Sequence, residues 1–334
     1  MKAIVLTQAG GAEQLSLVDC EQPSLQRPSQ VLVRLQAAAI NPIDTKIRQS
    51  PERFPVHQSQ AILGCDGAGV IEQVGPEVSA FKVGDAVYFC QPGFNGRQGT
   101  YAEYAAVDQA FLAIKPSSLS FEQAAAAPLV LITAWEALFD RANLQAGQTV
   151  LIHAGAGGVG HVAIQLAKQA GAKVITTVSS LEKAAFVKSL GADEVILYRD
   201  EDVVDGVLAW TGGVGVDVVF DTVGGALIEQ SFNATKVYGD VVSILGFPAE
   251  INLATARLRN LRLTQELMLS AAILELESAQ QHQGDILKQC ASLFDQGKLR
   301  IEVARVFSLA QATEAHRLLE QSGVTGKLVL RVCE

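Results

Sequence analysis

Three glycines at short, fixed spacing are the residues of this chain that point most clearly to chemistry. They lie in Gly155-Ala156-Gly157-Gly158-Val159-Gly160, after the apolar run 149–153 and at the start of a helix-forming run. A strand that turns into a helix through this pattern can bind a pyrophosphate. One glycine makes the turn, one admits the phosphate and one lets the helix pack closely. The helix N-terminus adds free N–H groups and the positive end of its dipole. The sequence therefore predicts a nicotinamide dinucleotide site.

The residues after the next apolar run, 173–178, bear on the choice of dinucleotide. An NAD-preferring site places Asp or Glu there to bind the ribose hydroxyls, whereas this chain has Ser179 and Ser180. Both serines can hydrogen-bond a 2′-phosphate, and Lys183 can neutralise its charge. We therefore expect NADPH, with NADH less favoured. The alternative interpretation of the two serines is N-capping of the helix that follows.

The elements that position this turn alternate between strand and helix patterns. This alternation indicates βαβ units and a parallel sheet. Before it, residues 1–120 show short apolar runs separated by Gly, Pro and Asp, which predicts strands and turns in a barrel-like β domain. Strands at 302–307 and 327–332 are expected to rejoin that domain. We place the domains at 1–123, 124–264 and 265–334.

Composition and charge limit the classes of partner. Hydrophobic residues make up 49% of the chain, charged residues 18%, and the net charge is −9. This balance predicts a folded protein without affinity for nucleic acid or an anionic membrane. The most apolar later run, 124–138, is too short to span a bilayer. The five cysteines are scattered, which favours free thiols in a reducing compartment. We expect a cytoplasmic protein.

Several further segments carry a family resemblance. They are Asn41-Pro42-Ile43-Asp44, the run 63–70, the run 83–87, the run 99–104, Leu190-Gly191-Ala192-Asp193 and the run 325–330. With the glycine turn, they make the chain resemble the medium-chain dehydrogenase/reductase superfamily, most of all its zinc-free quinone oxidoreductase branch. The resemblance covers essentially the whole chain. It implies an α/β plus β fold, in which a GroES-like β-barrel domain is interrupted by a doubly wound Rossmann domain.

The same resemblance bears on zinc. In the zinc enzymes of this superfamily, the catalytic ligands fall at the positions of Asn41 and Cys65 and near Leu129. Asp66 follows Cys65, and only Cys90 stands where a structural-zinc loop would lie. A catalytic zinc takes about three protein ligands and an open position, which these residues cannot supply. We therefore expect no metal site.

Four residues are candidates for the reacting centre. The resemblance places Asn41 and Thr133 beside the nicotinamide ring. Asp44 is interpreted either as a residue that orients this segment or as a turn carboxylate that accepts backbone N–H groups. Lys46 either donates to a substrate oxygen or is solvated.

The resemblance and the strand pattern also extend the cofactor site beyond the glycine turn. Leu245-Gly246-Phe247 follows a strand end and is expected near the nicotinamide, and Tyr198 follows another near the adenosine phosphate. The full set of expected cofactor-binding residues is Gly155, Ala156, Gly157, Gly158, Val159, Gly160, Ser179, Ser180, Lys183, Tyr198, Leu245, Gly246 and Phe247.

Without a metal to stabilise an alkoxide, the favoured reaction is hydride transfer to an acceptor that delocalises the negative charge itself. A quinone or an α,β-unsaturated carbonyl fits this description. The alternatives are a zinc-independent dehydrogenase of another alcohol or carbonyl, and a non-catalytic NADPH-binding regulatory protein. The resemblance also implies a homodimer, in which residues 263–268 pair with a second subunit.

Overall fold

The computed structural model describes residues 1–56 and 60–333. The described chain forms two compact units. Unit 1 comprises Met1–Leu129 and Leu269–Glu334, and unit 2 comprises Val130–Met268. Unit 1 is therefore discontinuous in sequence.

The N-terminal segment of unit 1 is rich in strands and contains two helices. Its strands are β1 (Lys2–Leu6), β2 (Leu15–Asp19), β3 (Gln30–Ile40), β4 (Ala61–Ile62), β5 (Asp66–Val74), β6 (Ala86–Cys90), β7 (Tyr104–Asp108) and β8 (Leu112–Ile114). Its helices are α1 (Pro42–Gln49) and α2 (Phe121–Ala126). Short 3₁₀ turns lie at Ala12–Gln14, Pro51–Arg53 and Gln109–Phe111.

The prediction of strands and turns alone for residues 1–120 is wrong at α1. Asn41 precedes this helix in an extended conformation, Pro42 occupies its first position, and Asp44 completes a capping box. Proline suits the first helical turn because its missing N–H would have no intrahelical partner there. These signals start the helix although most of its side chains are polar.

Unit 2 is built on a six-stranded parallel sheet. The helix α3 (Pro128–Trp135) and a π-helical turn at Glu136–Arg141 lead into it. Its strands are β9 (Thr149–Ile152), β10 (Lys173–Val178), β11 (Glu194–Leu197), β12 (Val216–Asp221), β13 (Thr235–Ser243) and β14 (Arg262–Gln265). Its remaining helices are α4 (Gly158–Gln169), α5 (Leu181–Ser189), α6 (Val203–Trp210), α7 (Leu227–Ala234) and α8 (Ala254–Leu258).

The strand order of this sheet is β11-β10-β9-β12-β13-β14. Strands β9 and β12 are neighbours, although the chain goes first from β9 to β10 on the opposite side. This reversal is the topological switch point of a Rossmann fold, where ligands bind outside the carboxyl ends of the strands. Apolar side chains that include Leu151, Ile175 and Val219 form the core beside the sheet.

The C-terminal segment returns to unit 1, as expected from its strand pattern. It contains α9 (Ser270–Ile273), α10 (Glu277–Asp295), β15 (Val303–Ser308), α11 (Ala312–Glu320) and β16 (Lys327–Arg331), with a 3₁₀ turn at Leu309–Gln311. Strand β16 pairs antiparallel with β3 and parallel with β15. Because β3 also pairs with β5 and β7, the first and last parts of the chain share one seven-stranded sheet. No helix within the described residues is long and apolar enough to cross a membrane.

Candidate functional site

The glycine turn between β9 and α4 is packed so tightly that side chains are excluded at two positions. A Cβ on Gly155 would lie 2.1 Å from Thr176 Oγ1, and a Cβ on Gly160 would lie 2.4 Å from the carbonyl oxygen of Ala154. Gly157 is less crowded, since its nearest neighbour would be the Ala154 oxygen at 3.2 Å. Gly155 and Gly160 thus allow close packing of strand and helix, while Gly157 leaves the helix N-terminus open.

The backbone of this turn is held by hydroxyl and carbonyl groups of the neighbouring strands. The Ala154 N–H donates to Thr177 Oγ1 at 3.1 Å, and the Gly155 N–H donates to the Thr177 carbonyl at 3.1 Å. The Thr222 hydroxyl donates to the His153 carbonyl at 2.8 Å. Ala154 adopts a φ of 50°, which few non-glycine residues adopt, and these bonds hold it there. The N-terminus of α4 lacks a capping side chain, so its first N–H groups suit an anionic ligand.

The expected 2′-phosphate residues lie at the carboxyl ends of β10 and β11. These ends are adjacent, because Val178 pairs with Leu197 and the Tyr198 N–H donates to the Val178 carbonyl at 3.2 Å. The Ser180 side chain caps α5 by accepting from the Lys183 N–H at 3.4 Å, so the capping alternative holds for this serine. Its hydroxyl hydrogen is not used by this bond, so capping is compatible with phosphate binding.

The segment Leu245-Gly246-Phe247 follows the carboxyl end of β13. Leu245 lies against Gly224, where a Cβ would be 2.8 Å from Leu245 Cδ1, and Phe247 packs on the core of unit 2. Sequence reasoning missed the buried Asp221 at the end of β12, which accepts the N–H groups of Val223 and Gly224 and the Ser243 hydroxyl. Asp221 therefore links the loop after β12 to the end of β13. A carboxylate at the last position of the largely apolar strand Val216–Asp221 was the available signal.

In unit 1, Asn41 and Asp44 form the N-terminus of α1 and are fully buried. Asp44 Oδ2 accepts from the Asn41 backbone N–H at 2.8 Å and from the Tyr101 hydroxyl at 3.0 Å. The Cys65 thiol contacts the other carboxylate oxygen at 3.5 Å. Burial raises the pKa of Asp44 to about 6, although the Asn41 and Tyr101 donors oppose the shift. Asp44 thus accepts a backbone N–H, and the same hydrogen bond holds Asn41 at the start of α1.

The Asn41 side chain is held between two buried charged groups. Its Nδ2 donates to Asp66 Oδ2 at 2.9 Å, and its Oδ1 accepts from the Lys327 ammonium. Asp66 Oδ1 accepts from the Leu129 N–H at 2.8 Å. Burial raises the pKa of Asp66 and lowers the pKa of Lys327, while the opposite charge of each partner opposes the shift.

A chain of polar side chains runs from Asp44 to α11. The Tyr101 hydroxyl lies 3.2 Å from His316 Nε2, and His316 Nδ1 lies 3.2 Å from Arg48 Nη1. Arg48 also donates to the Gly10 carbonyl at 3.0 Å and pairs with Glu320. Because arginine only donates, His316 Nδ1 must accept, so the proton lies on Nε2 and points to Tyr101. Burial lowers the pKa of His316 to about 3, which keeps the ring neutral.

Comparisons with known proteins agree with this architecture. Residues 27–117 match the family model described as alcohol dehydrogenase GroES-like domain, and residues 190–330 match the one described as zinc-binding dehydrogenase. The chain is 37% identical to a quinone oxidoreductase of Pseudomonas aeruginosa, over 98% of this chain and 99% of the relative. It belongs to the medium-chain dehydrogenase/reductase superfamily. Within that superfamily it falls in the quinone oxidoreductase-like branch, and it is an oxidoreductase.

Two further relatives extend the comparison. An NADPH-dependent alkenal/one oxidoreductase of the Arabidopsis thaliana chloroplast is 33% identical over 99% of this chain and 79% of its own length. The Escherichia coli quinone oxidoreductase, solved in complex with NADPH, superposes with a TM-score of 0.87 at 31% identity and covers 99% of this chain and 100% of its own. These matches confirm the expected fold class, a GroES-like domain combined with a Rossmann domain.

The two other candidate residues of this dehydrogenase/reductase chain differ in exposure. Lys46 lies on the exposed side of α1, where solvation is available to it. Thr133 is buried in α3 within unit 2, with 5% of its surface exposed. Asn41 and Asp44 lie together in the buried polar cluster with Asp66, whereas Lys46 is exposed.

The donor set of the described residues does not fit the zinc in the name of one matching family model. Among residues 1–56 and 60–333, no three His, Cys, Asp or Glu side chains are grouped as a metal would require. Burial raises the pKa of the Cys65 and Cys90 thiols. The carboxylate of Asp66 is already paired with Lys327. His57 lies outside the described residues.

Sequence reasoning missed most of the cluster around Asn41. Lys327 appeared only as part of a matching segment, and Tyr101, His316 and Arg48 were not connected with Asn41. Lys327 is separated from Asn41 by 286 positions, so no local spacing joins them. The one available signal was a lysine at the start of an apolar strand that is expected to be buried.

Proposed function

We propose that this protein is an NADPH-dependent, zinc-independent reductase that transfers hydride to a quinone or an α,β-unsaturated carbonyl. The observation that carries the proposal is that Asn41, which the family resemblance aligns with a zinc ligand, lies between the Asp66 carboxylate and the Lys327 ammonium. In this proposal unit 2 is the dinucleotide-binding domain and unit 1 the substrate domain. The domain boundaries proposed from the sequence, near residues 123 and 264, precede the ends of the compact units at Leu129 and Met268.

The cofactor assignment rests on the carboxyl edge of the parallel sheet. The glycine turn has the close packing and the open helix N-terminus that a pyrophosphate needs. Ser179, Ser180 and Tyr198 follow the ends of β10 and β11, and Lys183 lies in the first turn of α5. The ribose-binding carboxylate of an NAD site is missing from the end of β10. When bound, NADPH supplies the hydride. The Escherichia coli relative solved with NADPH supports the choice.

The acceptor class follows from the charge that develops during reduction. An alkoxide needs an electrophile such as zinc, whereas a quinone or enone spreads the charge over its own π system. The enzyme then has to orient the acceptor, exclude water and offer hydrogen-bond donors. The names of the Pseudomonas aeruginosa and Arabidopsis thaliana relatives support these two acceptor classes.

Within this proposal the candidate residues have distinct roles. Asn41 and Thr133 contact the nicotinamide, Asp44 fixes Asn41 through its backbone N–H, and Lys46 is available to a substrate oxygen. The cofactor-binding set includes the glycine turn and residues 245–247. The protein is proposed to be a cytoplasmic homodimer that pairs through residues 263–268, which overlap the edge strand Arg262–Gln265. Its net charge of −9 disfavours nucleic acid or an anionic membrane as a partner.

The experiment compares NADPH and NADH oxidation with 1,4-benzoquinone, 9,10-phenanthrenequinone and an enal. The proposal predicts faster turnover with NADPH and reduction of at least one of these acceptors. Tight NADPH binding without turnover on any acceptor would instead support a non-catalytic regulatory protein. Activity confined to the oxidation of simple alcohols would support the zinc-independent dehydrogenase alternative.

A further inference from the structure

Lys327 provides a positive charge inside unit 1, although it begins the last strand of the chain. Only 4% of its surface is exposed. Its Nζ donates to the Ile40 carbonyl at 3.1 Å and to Asn41 Oδ1, and it lies 3.7 Å from Asp66 Oδ2. Two of these oxygens accept hydrogen bonds from Nζ, and the third belongs to a carboxylate at ion-pair distance. These are the surroundings of an ammonium, because every neighbour named here is an oxygen and one belongs to a carboxylate.

This arrangement determines which way the Asn41 amide faces. Oδ1 meets the Lys327 ammonium, and Nδ2 meets the Asp66 carboxylate at 2.9 Å. The reversed amide would place an NH₂ group against an ammonium and an oxygen against a carboxylate, and both contacts would be repulsive. The other oxygen of Asp66 is held by the Leu129 N–H at 2.8 Å, so the carboxylate cannot turn away without losing a bond.

We propose that Lys327 is a positioning residue whose fixed positive charge balances Asp66 and orients the Asn41 amide, so that no metal ion is needed there. The part of this inference that concerns activity rests on the proposed function, in which Asn41 contacts the nicotinamide. The structural part, a charge pair that depends on both partners, stands independently. Lys327 acts through Asn41 and touches neither cofactor nor substrate in this proposal.

A double-mutant cycle tests the charge pair. Removing one partner leaves the other charge buried and unbalanced, which is strongly destabilising, whereas removing both does not. We expect Lys327→Met and Asp66→Asn each to lower the melting temperature by roughly 10 °C. The double variant is expected to be more stable than the sum of the two losses predicts. Strictly additive losses would overturn the proposal.

Lys115 offers a matched control within the same unit. Its ammonium also donates to backbone carbonyls, those of Pro116 at 2.8 Å and of Leu119, and the carboxylate that acts on it is that of Asp295 and not that of Asp66. Lys115→Met combined with Asp66→Asn is expected to give additive losses. Coupling of similar size in this control pair would mean that the effect at Lys327 is not specific, and would also overturn the proposal.

Chemical rescue of kcat by an added amine distinguishes a role of the Lys327 charge from a purely structural role. Lys327→Ala leaves space for a small amine, so we expect propylammonium to restore part of the lost kcat, and neutral propanol to restore none. Rescue is expected to disappear when Asp66→Asn is added, because the buried partner charge is then missing. Equal rescue by propanol would show that Lys327 only fills space, contrary to the proposal.

A measurement on the unmodified protein keeps the inference falsifiable even if the variants fail to fold. After exposure to zinc and removal of excess metal, the protein should hold well below one zinc per chain, with an unchanged melting temperature. Bound zinc whose removal lowers the melting temperature would overturn the proposal. If the stability losses in the double-mutant cycle are coupled but the protein reduces no acceptor, only the proposed function is rejected. If the losses are additive and the protein is an active reductase, only this inference is rejected.

Discussion

In the dinucleotide turn of unit 2, glycines and backbone amides position the candidate site, whereas in unit 1 buried charged side chains surround Asn41. The turn depends on the absence of side chains at Gly155 and Gly160, where a Cβ would meet other atoms at 2.1 and 2.4 Å. The cluster around Asn41 depends on the presence of Asp44, Asp66 and Lys327. The turn should therefore be most sensitive to added atoms, and the cluster to removed charges and acceptors.

The largest effect is expected from an added atom in the turn. In Gly160→Ala, the new Cβ meets the backbone of Ala154 and Gly155, which cannot move as a flexible side chain could. We expect a loss of about 3 kcal/mol in the free energy of unfolding and at least a tenfold weaker binding of NADPH. Thermal unfolding and fluorescence titration measure the two effects.

Gly246→Ala is the matched control for the stability effect. A Cβ there would meet no atom within 4 Å, so the melting temperature should stay close to that of the unmodified protein. If Gly160→Ala were as stable as Gly246→Ala, the close packing assigned to the turn would be wrong.

In unit 1, the next largest effect is expected from a lost acceptor. Asp44→Ala leaves the Asn41 N–H and the Tyr101 hydroxyl without their buried partner. A loss of about 2 kcal/mol in the free energy of unfolding should follow, together with a lower kcat. Asp44→Asn keeps one acceptor oxygen and should lose less. Urea unfolding and steady-state kinetics provide the test, and an equal loss in both variants would count against the role of the carboxylate as an acceptor.

The two units can also be compared through one buried histidine in each. Burial lowers the pKa of His316 in unit 1 to about 3 and that of His153 in unit 2 to about 4. A histidine whose pKa is lower in the folded state than in the unfolded state stabilises the fold at pH values above its unfolded pKa of about 6.5. This stabilisation is lost as the pH falls from about 6.5 towards the pKa of the folded state. Asp44 has the opposite effect on the pH dependence of stability. Because its pKa is raised in the folded state, the folded state gains stability as the pH falls from about 6 to about 4.

His316→Gln isolates one of these contributions. Between about pH 6 and pH 5 the free energy of unfolding of the variant should fall less than that of the unmodified protein, by about 1.2 kcal/mol. Urea unfolding at the two pH values measures the difference. A variant with the same pH slope as the unmodified protein would contradict the neutral, buried state of this ring.

The smallest expected effect concerns the cofactor preference of unit 2. Ser179→Asp places a carboxylate at the end of β10, where it can bind ribose hydroxyls and repel a 2′-phosphate. The ratio of kcat/KM for NADPH to that for NADH should fall about fivefold or more, close to 1 kcal/mol. Ser179→Asn, which is similar in size but uncharged, is the control. An unchanged ratio in the Asp variant would remove Ser179 from the phosphate site.

The difference between the glycine turn and the cluster around Asn41 also explains how much the sequence could predict. The turn was identified because its signal is local and consists of three glycines between a strand and a helix. The βαβ order and the return of β16 to the N-terminal sheet also followed from local patterns, whereas α1 was missed because its apolar face is short. The cluster around Asn41 joins residues from β5, the start of α3 and β16, and only the folded sheet brings them together. Its charges were therefore not predictable as a set.

The central claim is tested most directly by NADPH-dependent reduction of 1,4-benzoquinone after exhaustive dialysis against a chelator, with the zinc content of the same sample measured. The account predicts full turnover without zinc and no increase when zinc is added back. Loss of turnover on chelation, restored by zinc, would contradict it, because the charge beside Asp66 and Asn41 would then have to come from a metal and not from Lys327.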